Sequence, residues 1–214
     1  MDTKLGFDLV LLGAPAAGKD TQAGILMKRY QFSPIESGKH WRQMAAKKNE
    51  MGLLLRKTFS KGQAAPVKLM KQFIIEHLRD VRKSQNLLFI GNPRLKPEAQ
   101  LLNKLLLSKH RDYYVISIEL PEKEIRKRSL KRMRDDQDWK YVDNRINMYE
   151  LQVAKTLDYF NSLGKLKTVN GNRSIKEVSK DIEKIINDYK RRQAVRNSQE
   201  KRTHSGRSFK FGRK

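Results

Sequence analysis

The sequence contains no cysteine, which excludes disulfide bonds and thiolate-ligated metal sites. Histidine is also scarce, and His40, His77, His110 and His204 are spread along the chain without a partner at metal-ligand spacing. We therefore interpret the histidines as surface or packing residues. No apolar run reaches the length of a membrane-spanning helix, and the N-terminus lacks the apolar core of a signal peptide. We expect a soluble, cytoplasmic protein that does not enter a membrane.

Acidic residues are few in relation to basic ones. The 214 residues include 23 Asp and Glu but 47 Lys and Arg, which gives a formal net charge of +24. Part of the excess lies at the C-terminus, because residues 190–214 hold ten basic residues and one acidic residue. Such a balance favours polyanions such as nucleotides, RNA or anionic membranes as partners. A generally basic proteome would produce the same numbers, so charge alone does not identify the partner.

A glycine-rich loop is the most informative segment of the chain. It follows the apolar run at residues 7–12 and precedes a helical pattern at residues 22–30. The loop consists of Gly13, Ala14, Pro15, Ala16, Ala17, Gly18, Lys19, Asp20 and Thr21. A G-x4-G-K-x-T motif between a strand and a helix is typical of a P-loop, in which backbone N–H groups and the helix N-terminus surround a phosphate. The sequence therefore predicts a nucleotide site, in which Lys19 binds the β- and γ-phosphates; the alternative is a glycine-rich turn without a ligand.

The pattern of the rest of the chain predicts an α/β fold. Apolar runs predict strands at residues 7–12, 31–35, 87–90, 113–120 and 166–169. Helical patterns lie between these runs, which favours a parallel sheet with helices on both faces. Apolar periodicity stops after Arg192, and we expect residues 193–214 to form a disordered basic tail. The tail is either simply solvated or binds nucleic acid, with Phe209 and Phe211 stacking on bases.

Arginines recur at predicted turns and helix starts. Arg42 follows a Ser37-Gly38 turn, and Arg94 follows the end of a predicted strand, where α/β sheets bind their ligands. Arg128 lies one helical turn before Arg132, and Arg134 lies three turns before Arg145. Residues 126–134 hold six Lys and Arg, whose repulsion destabilises a helix. This clustering indicates anions bound between the helices.

Taken together, these motifs resemble the adenylate kinase or nucleoside-monophosphate kinase family over roughly residues 5–188. Residues 13–22 match the family's G-x-P-x-x-G-K-x-T-Q loop. The other matching segments are Ser37-Gly38-x-x-x-Arg42, Gly62-Gln63-x-x-Pro66, Gly91-x-Pro93-Arg94 with Glu98-Ala99, Arg128-x-x-x-Arg132, Arg134-x-Asp136 and Arg145. The first three resemble, in that order, the family's monophosphate-binding turn, the end of its monophosphate-binding insertion and its G-F-P-R…Q-A motif. The last three resemble its arginine-rich phosphate-binding stretch.

The resemblance implies a monomeric enzyme that transfers the γ-phosphoryl group of ATP, with Mg²⁺, to a nucleoside monophosphate. It implies a P-loop NTPase-type domain over residues 1–192, with about five parallel strands and a small helical monophosphate-binding insertion at residues 36–66. The residues expected at the acceptor monophosphate are Ser37, Gly38, Arg42, Gly91, Arg94 and Glu98. The residues expected at the donor and the transferred group are Lys19, Arg128, Arg132, Arg134, Asp136 and Arg145.

The magnesium site departs from the family pattern. The family usually has an aspartate before the glycine of G-F-P-R, and this chain has Ile90 there. An aspartate often follows the monophosphate turn, and this chain has Lys39. We hypothesise that Asp20, next to the P-loop lysine, supplies the metal carboxylate. The alternative is that Asp20 is only a favourable acidic residue in the first turn of a helix.

Two further departures concern the arginine-rich stretch. The register that places Arg145 correctly puts Asp136 and Gln137 where the family has two aspartates, whereas pairing residues 135–136 instead leaves Arg145 one residue out. The lid domain, which closes over the site in the family, is reduced to about Met133. Closing lids exclude water. We therefore expect slow turnover or ATP hydrolysis, unless the tail or a partner covers the site.

The last departure is Glu98, which replaces the glutamine that recognises the acceptor base in the family. An ionised carboxylate only accepts hydrogen bonds, so it suits the N1–H and N2–H₂ groups of guanine better than the N1 acceptor of adenine. AMP is the acceptor that the family implies, and GMP is the alternative.

A function of another class stays open from the sequence alone. The missing carboxylate, the missing lid and the basic tail favour a non-catalytic or weakly hydrolytic P-loop protein that binds RNA or ribosomes. Arg42 and Arg94 favour the kinase, because a hydrolase needs no acceptor site.

Overall fold

The computed structural model describes residues 5–59, 61, 63–79, 81–82, 85–131 and 139–207. Within them, five strands form one parallel sheet in the order β2-β3-β1-β4-β5. The strands are β1 (Asp8–Gly13), β2 (Phe32–Ile35), β3 (Asn86–Ile90), β4 (Tyr113–Glu119) and β5 (Leu166–Asn170). This confirms the predicted five-stranded parallel sheet of an α/β P-loop fold.

Helices connect the strands. They are α1 (Lys19–Arg29), α2 (Ser37–Ala45), α3 (Glu50–Phe59), α4 (Val67–Arg79), α5 (Lys96–Ser108), α6 (Glu122–Leu130), α7 (Trp139–Met148), α8 (Ala154–Ser162) and α9 (Ile175–Arg207). A π-helical turn, Tyr149–Val153, joins α7 to α8 without a break. Among the described helices, none combines the length and the apolar character needed to cross a membrane.

The two faces of the sheet bury separate apolar layers, because successive side chains of a strand point to opposite faces. Leu9 and Leu11 of β1 belong to the layer that also contains residues of α1 and α9. Val10 and Leu12 belong to the other layer, with residues of α4 and α5. Burial on both faces explains why the central strands are continuously apolar. The parallel pairing of β1 with β3 sets the ends of these two strands side by side.

Asp112, just before β4, connects α9 to the sheet. Its carboxylate accepts hydrogen bonds from Lys165 Nζ and Tyr189 Oη, both at 2.8 Å, and from the side-chain amide of Gln193. Burial opposes ionisation of this carboxyl, but the donors, with Lys165 foremost, outweigh burial and lower its pKa. The C-terminal helix is therefore held to the sheet by a polar network as well as by apolar packing.

The structure corrects the expectation that the chain is disordered from residue 193. Helix α9 continues to Arg207, and its Gln193 and Arg196 contact Asp112. Residues 193–205 contain no proline or glycine and include Gln, Ala, Arg, Glu and Lys, which are strong helix formers. A helix anchored at one end therefore extends past the point where apolar periodicity stops. Residues 208–214 lie outside the described residues.

Candidate active site

The P-loop lies between the ends of β1 and β4. Gly13 has a φ of +141°, and a Cβ atom there would lie 2.1 Å from the carbonyl oxygen of Ile118. Gly18 precedes α1 with a φ of +86° and gives the helix no side-chain cap. The first N–H groups of α1 consequently have no side-chain cap, which is the arrangement that binds phosphate at a helix N-terminus.

Lys19 is folded back over this loop. Its Nζ donates hydrogen bonds to the carbonyl oxygens of Gly13, at 3.0 Å, and Ala14, at 2.8 Å. The first atom of a side chain at Gly91, at the end of β3, would lie 3.6 Å from Cε of Lys19. The lysine therefore lies where the ends of β1 and β3 meet, which is the position a phosphate-binding group needs.

A cavity of about 990 Å³ opens at this edge of the sheet. It is lined by the P-loop, by α2 and α3, by the ends of β1 and β3, and by α7 with the π-helical turn. Its cationic lining residues are Lys19, Arg42, Arg56, Lys57, Arg94 and Arg145, and its acidic ones are Asp20, Glu36 and Glu98. The excess of positive charge suits a ligand that carries several phosphates.

Arg94 follows β3 and lines the cavity. Its Nε donates to the carbonyl oxygen of Gly91 at 3.0 Å, and its own carbonyl oxygen accepts a hydrogen bond from Thr156 Oγ1 at 2.9 Å. Burial, followed by the positive charges of Arg145 and Arg42, lowers the pKa of Arg94 to about 10. An anion bound beside Arg94 would reduce the free-energy cost of its positive charge.

Arg42 lies on α2, near the turn that begins the insertion. Its Nη2 is 3.5 Å from Glu36 Oε1 in a partly exposed ion pair, which holds it only weakly. A Cβ atom at Gly38 would approach Arg42 Nη1 to 3.3 Å, so the glycine leaves room for the guanidinium. Ser37 is buried beside them. The turn and its arginine therefore form one unit on the cavity wall.

Glu98 has two different carboxylate oxygens. Oε2 accepts hydrogen bonds from the backbone N–H groups of Arg94, at 2.9 Å, and Leu95, at 3.1 Å, and so caps the N-terminus of α5. Oε1 has no hydrogen-bond partner among the described residues. Burial raises the pKa of this carboxyl, and the two backbone donors oppose that effect. One oxygen thus caps α5, and the other has no hydrogen-bond partner among the described residues.

The cavity brings together most of the site residues expected from the sequence. All the expected P-loop and acceptor-site residues line it except Ala14 and Thr21, which belong to the same loop and to the start of α1. Arg145 lines it from α7. Arg128 is not among the lining residues: its Nη1 donates to the carbonyl oxygen of Gly171 at 3.2 Å, and its Nε lies 3.5 Å from Glu124.

Some expected residues cannot be placed. Arg132, Met133, Arg134 and Asp136 lie outside the described residues, as does Gly62 in the insertion.

Several lining residues were not predicted. They are Trp41, Arg56, Lys57, Tyr141 and Tyr149. Arg56 donates to the carbonyl oxygens of Ala45 and Lys47, which fixes α3 against α2. Both cations of α3 fall inside the predicted insertion, but their local pattern does not differ from that of a solvated surface. The tyrosines lie in the predicted long helix, whose cavity-facing side the sequence does not mark.

The oxygen ligands for a magnesium ion are few. Ile90 lines the cavity where the family has an aspartate, and it offers no side-chain oxygen. The described residues contain no group of three His, Asp or Glu side chains that would hold a metal by itself. Asp20 lines the cavity in the first turn of α1. A single carboxylate fits Mg²⁺, which keeps several waters and takes its other ligands from substrate phosphates.

Comparison with known proteins assigns the family. A family model described as adenylate kinase matches residues 11–165. The chain is 30% identical over 183 residues to the adenylate kinase of Azobacteroides pseudotrichonymphae genomovar. CFP2, covering 83% of this chain and 96% of the relative. It is 31% identical over 179 residues to adenylate kinase 1 of Synechocystis sp., with coverages of 83% and 96%. The adenylate kinase of Parabacteroides distasonis is 29% identical over 188 residues, with coverages of 86% and 99%.

The match to the family model extends over the P-loop, the insertion and the arginines of the cavity. The chain belongs to the adenylate kinase family.

Proposed function

We propose that the protein is a magnesium-dependent nucleoside-monophosphate kinase that transfers the γ-phosphoryl group of ATP to a nucleoside monophosphate. AMP is the acceptor that the family implies. One observation carries the proposal: the P-loop and a second group of arginines line the same cavity. A nucleotide hydrolase needs only the first of these. The second group supplies a place for another phosphate within reach of the first.

The donor side is built by the P-loop. The N–H groups at the start of α1 and the Lys19 ammonium are placed to bind the β- and γ-phosphates. Lys19 is held by two carbonyl oxygens, which are weaker partners than phosphate oxygens. Nucleotide binding would replace these two hydrogen bonds with bonds to negatively charged phosphate oxygens.

The acceptor side is built by Arg42 and Arg94. A guanidinium presents paired N–H donors that match the oxygens of a phosphate. The Nε of Arg94 is bound to Gly91, which fixes the orientation of the guanidinium. Its neighbour Arg145 is close enough to lower the pKa of Arg94. These arginines would orient the monophosphate for in-line attack on the γ-phosphoryl group.

Catalysis then rests on positioning and on charge neutralisation. Phosphoryl transfer places negative charge on the oxygens of the transferred group, and fixed cations stabilise that charge. The terminal oxygen of the monophosphate forms a bond to the γ-phosphorus as the bond to the β-phosphate oxygen breaks. The products are a nucleoside diphosphate and ADP. Because both substrates bind in one cavity of one chain, we expect the monomer to be active.

Asp20 is our proposed carboxylate for Mg²⁺, which would neutralise phosphate charge when bound. Its place in the first turn of α1 would set it beside phosphates bound by the P-loop. The other acidic lining residues, Glu36 and Glu98, are paired with Arg42 and with the start of α5. Asp20 is therefore the carboxylate best placed to meet a metal on the donor side.

A coupled assay of ADP formation from ATP and Mg²⁺ tests the proposal, with AMP, GMP, CMP and UMP added one at a time. We expect ADP formation that depends on an acceptor and is abolished by Lys19→Ala. Lys28→Ala, an exposed position on the same helix, is the matched control and should retain activity. ADP formation at the same rate with and without every acceptor would contradict a kinase and indicate a hydrolase.

A further inference from the structure

A buried asparagine connects the two segments that carry the acceptor arginines. Asn92 is 0% exposed and lies in the turn between β3 and Arg94. Its side-chain Nδ2 donates to the carbonyl oxygen of Ile35, at 2.9 Å, and to that of Ile90, at 3.2 Å. Ile35 ends β2 and Ile90 ends β3, so one amide group joins the ends of two neighbouring strands.

The amide is retained at a cost to the stability of the fold. Its orientation is fixed, because the opposite orientation would place the amide oxygen against two carbonyl oxygens. The oxygen, Oδ1, is buried and has no hydrogen-bond partner among the described residues. A buried acceptor without a partner is destabilising, and the family's G-F-P-R motif has an apolar phenylalanine where this chain has Asn92. Such a local cost is expected where the polar group serves function.

The insertion begins on a strand that the sheet holds weakly. β2 has four residues and lies at the edge of the described sheet, with β3 as its neighbour. It contains Pro34, which has no backbone N–H group to donate. Helix α2 begins at Ser37, two residues after Ile35, and carries Arg42 on the cavity wall. A shift of the end of β2 therefore moves the start of α2 and Arg42 with it.

The other end of this connection is held by several hydrogen bonds. Asn92 lies two residues before Arg94, whose Nε donates to the carbonyl oxygen of Gly91. The backbone N–H of Arg94 donates to Glu98, and its carbonyl oxygen accepts a hydrogen bond from Thr156. Asn92 itself is not among the residues that line the cavity. Its amide instead joins the start of the insertion to a turn whose position is fixed.

We propose that Asn92 is a positioning residue of the acceptor site, which sets the distance between Arg42 and Arg94 so that both guanidinium groups bind one phosphate. The inference rests on the proposed function in placing a monophosphate between these arginines. Guanidinium groups bind phosphate with a defined geometry, so a small shift of one arginine weakens the binding. The two carbonyl groups that Asn92 binds lie outside the P-loop, so ATP binding does not depend on it.

Asn92→Leu removes both donors and the unpartnered acceptor, and it keeps much of the side-chain volume. Calorimetric titration with AMP, GMP, CMP and UMP, without ATP, identifies the monophosphate that binds most tightly. We expect its Kd to rise about tenfold in the variant, which corresponds to the loss of one hydrogen bond, while the Kd for ATP is unchanged. In turnover, KM for this monophosphate should rise and KM for ATP should not. Unchanged monophosphate affinity, or equal losses for both nucleotides, would overturn the proposal.

Asn86 provides the matched control. It begins β3, at the opposite end of the strand from Asn92, and it is 5% exposed. Its Nδ2 is buried without a hydrogen-bond partner among the described residues. Asn86→Leu therefore changes a buried asparagine close to the same strand but far from the cavity, and both affinities should be unchanged. A loss of monophosphate affinity as large as that of Asn92→Leu would mean that Asn92 acts only on the fold.

A measurement on the wild-type protein needs no substitution. Because linkage is reciprocal, a connection that strengthens monophosphate binding must itself be strengthened by the monophosphate by the same factor. In protein that carries nitrogen-labelled asparagine, nuclear magnetic resonance measures hydrogen exchange of the Asn92 side-chain NH₂ group. We expect the saturating monophosphate to slow this exchange about tenfold and ATP to leave it unchanged. An exchange rate that the monophosphate does not alter would refute the positioning role.

The two proposals fail in different ways. If Asn92→Leu weakens monophosphate binding but no phosphoryl transfer occurs, the kinase function is wrong and the positioning role stands. If transfer occurs and Asn92→Leu binds monophosphates as the wild-type protein does, the kinase function stands and the positioning role is wrong. If none of the four monophosphates binds to the wild-type protein, both are wrong.

Discussion

The substitution Arg94→Met is expected to stabilise the free protein while it removes acceptor binding. Arg94 is charged at neutral pH, yet burial and the neighbouring Arg145 and Arg42 lower its pKa from 12.5 to about 10. For a base, a lower pKa in the folded state means that folding opposes the charged form. The resulting penalty is fully present at pH 7 and is released only as the pH rises through about 10.

The size of the gain follows from that pKa. Each pKa unit corresponds to about 1.4 kcal/mol, so the charge on Arg94 costs the folded state about 3 kcal/mol. Methionine keeps much of the apolar contact but loses the hydrogen bond to Gly91, which is worth about 1 kcal/mol. The free energy of unfolding should therefore rise by about 2 kcal/mol in the variant.

Urea unfolding at pH 7 and low ionic strength measures this difference. Arg111→Met is the matched control, because Arg111 is also buried but lies 2.6 Å from the carboxylate of Asp8. Breaking that pair leaves a buried carboxylate without its charged partner and should destabilise the protein by about 3–5 kcal/mol. The same substitution is thus expected to have opposite signs at the two sites.

A ligand completes the test. A monophosphate should relieve the repulsion around Arg94 and raise the unfolding midpoint of the wild-type protein much more than that of Arg94→Met. The reasoning would be refuted if Arg94→Met were less stable than the wild-type protein, or if the monophosphate stabilised both equally. Either result would mean that burial and the neighbouring arginines do not disfavour the charge on Arg94 in the free protein.

Three further predictions concern the P-loop, the metal and water. Gly13→Ala should prevent cooperative folding, seen as loss of a sharp thermal transition, since its Cβ would lie 2.1 Å from the Ile118 carbonyl oxygen; Gly24→Ala, with open space around it, should fold normally. Asp20→Asn should raise the Mg²⁺ concentration needed for half-maximal turnover, and an unchanged requirement would exclude Asp20 as the metal carboxylate. The sequence predicts a reduced lid, so ATP hydrolysis measured as phosphate release without acceptor should be a sizeable share of turnover, and tight coupling to the acceptor would contradict this prediction.

The sheet and most of the cavity could be predicted because they depend on local sequence. Buried parallel strands are continuous apolar runs, and glycine-rich loops follow from backbone conformations that only glycine adopts readily. Arg42 and Arg94 could be predicted because each follows a recognisable turn. The parallel topology then brings the ends of β1 and β3 together without further information.

Other features depend on contacts between distant residues. Arg128 lies on the expected helix, but Gly171, 43 residues away, accepts a hydrogen bond from its guanidinium outside the cavity lining. The extension of α9 depends partly on Asp112, which no local pattern connects to Gln193. The division of labour between the two oxygens of Glu98 appears only when the start of α5 is built. Sequence patterns indicate which residues a helix or loop contributes, and packing between distant elements decides which of these residues face the cavity.

Transfer of labelled phosphate tests the central claim most directly. The protein is incubated with ATP labelled at the γ-phosphoryl group, Mg²⁺ and a monophosphate, and the products are separated. The kinase proposal predicts that the label appears in the nucleoside diphosphate made from the acceptor, and that Lys19→Ala and Arg94→Met both abolish this product. Label found only in inorganic phosphate, whichever acceptor is added, would show that the two phosphate sites of the cavity do not work together and would contradict the proposal.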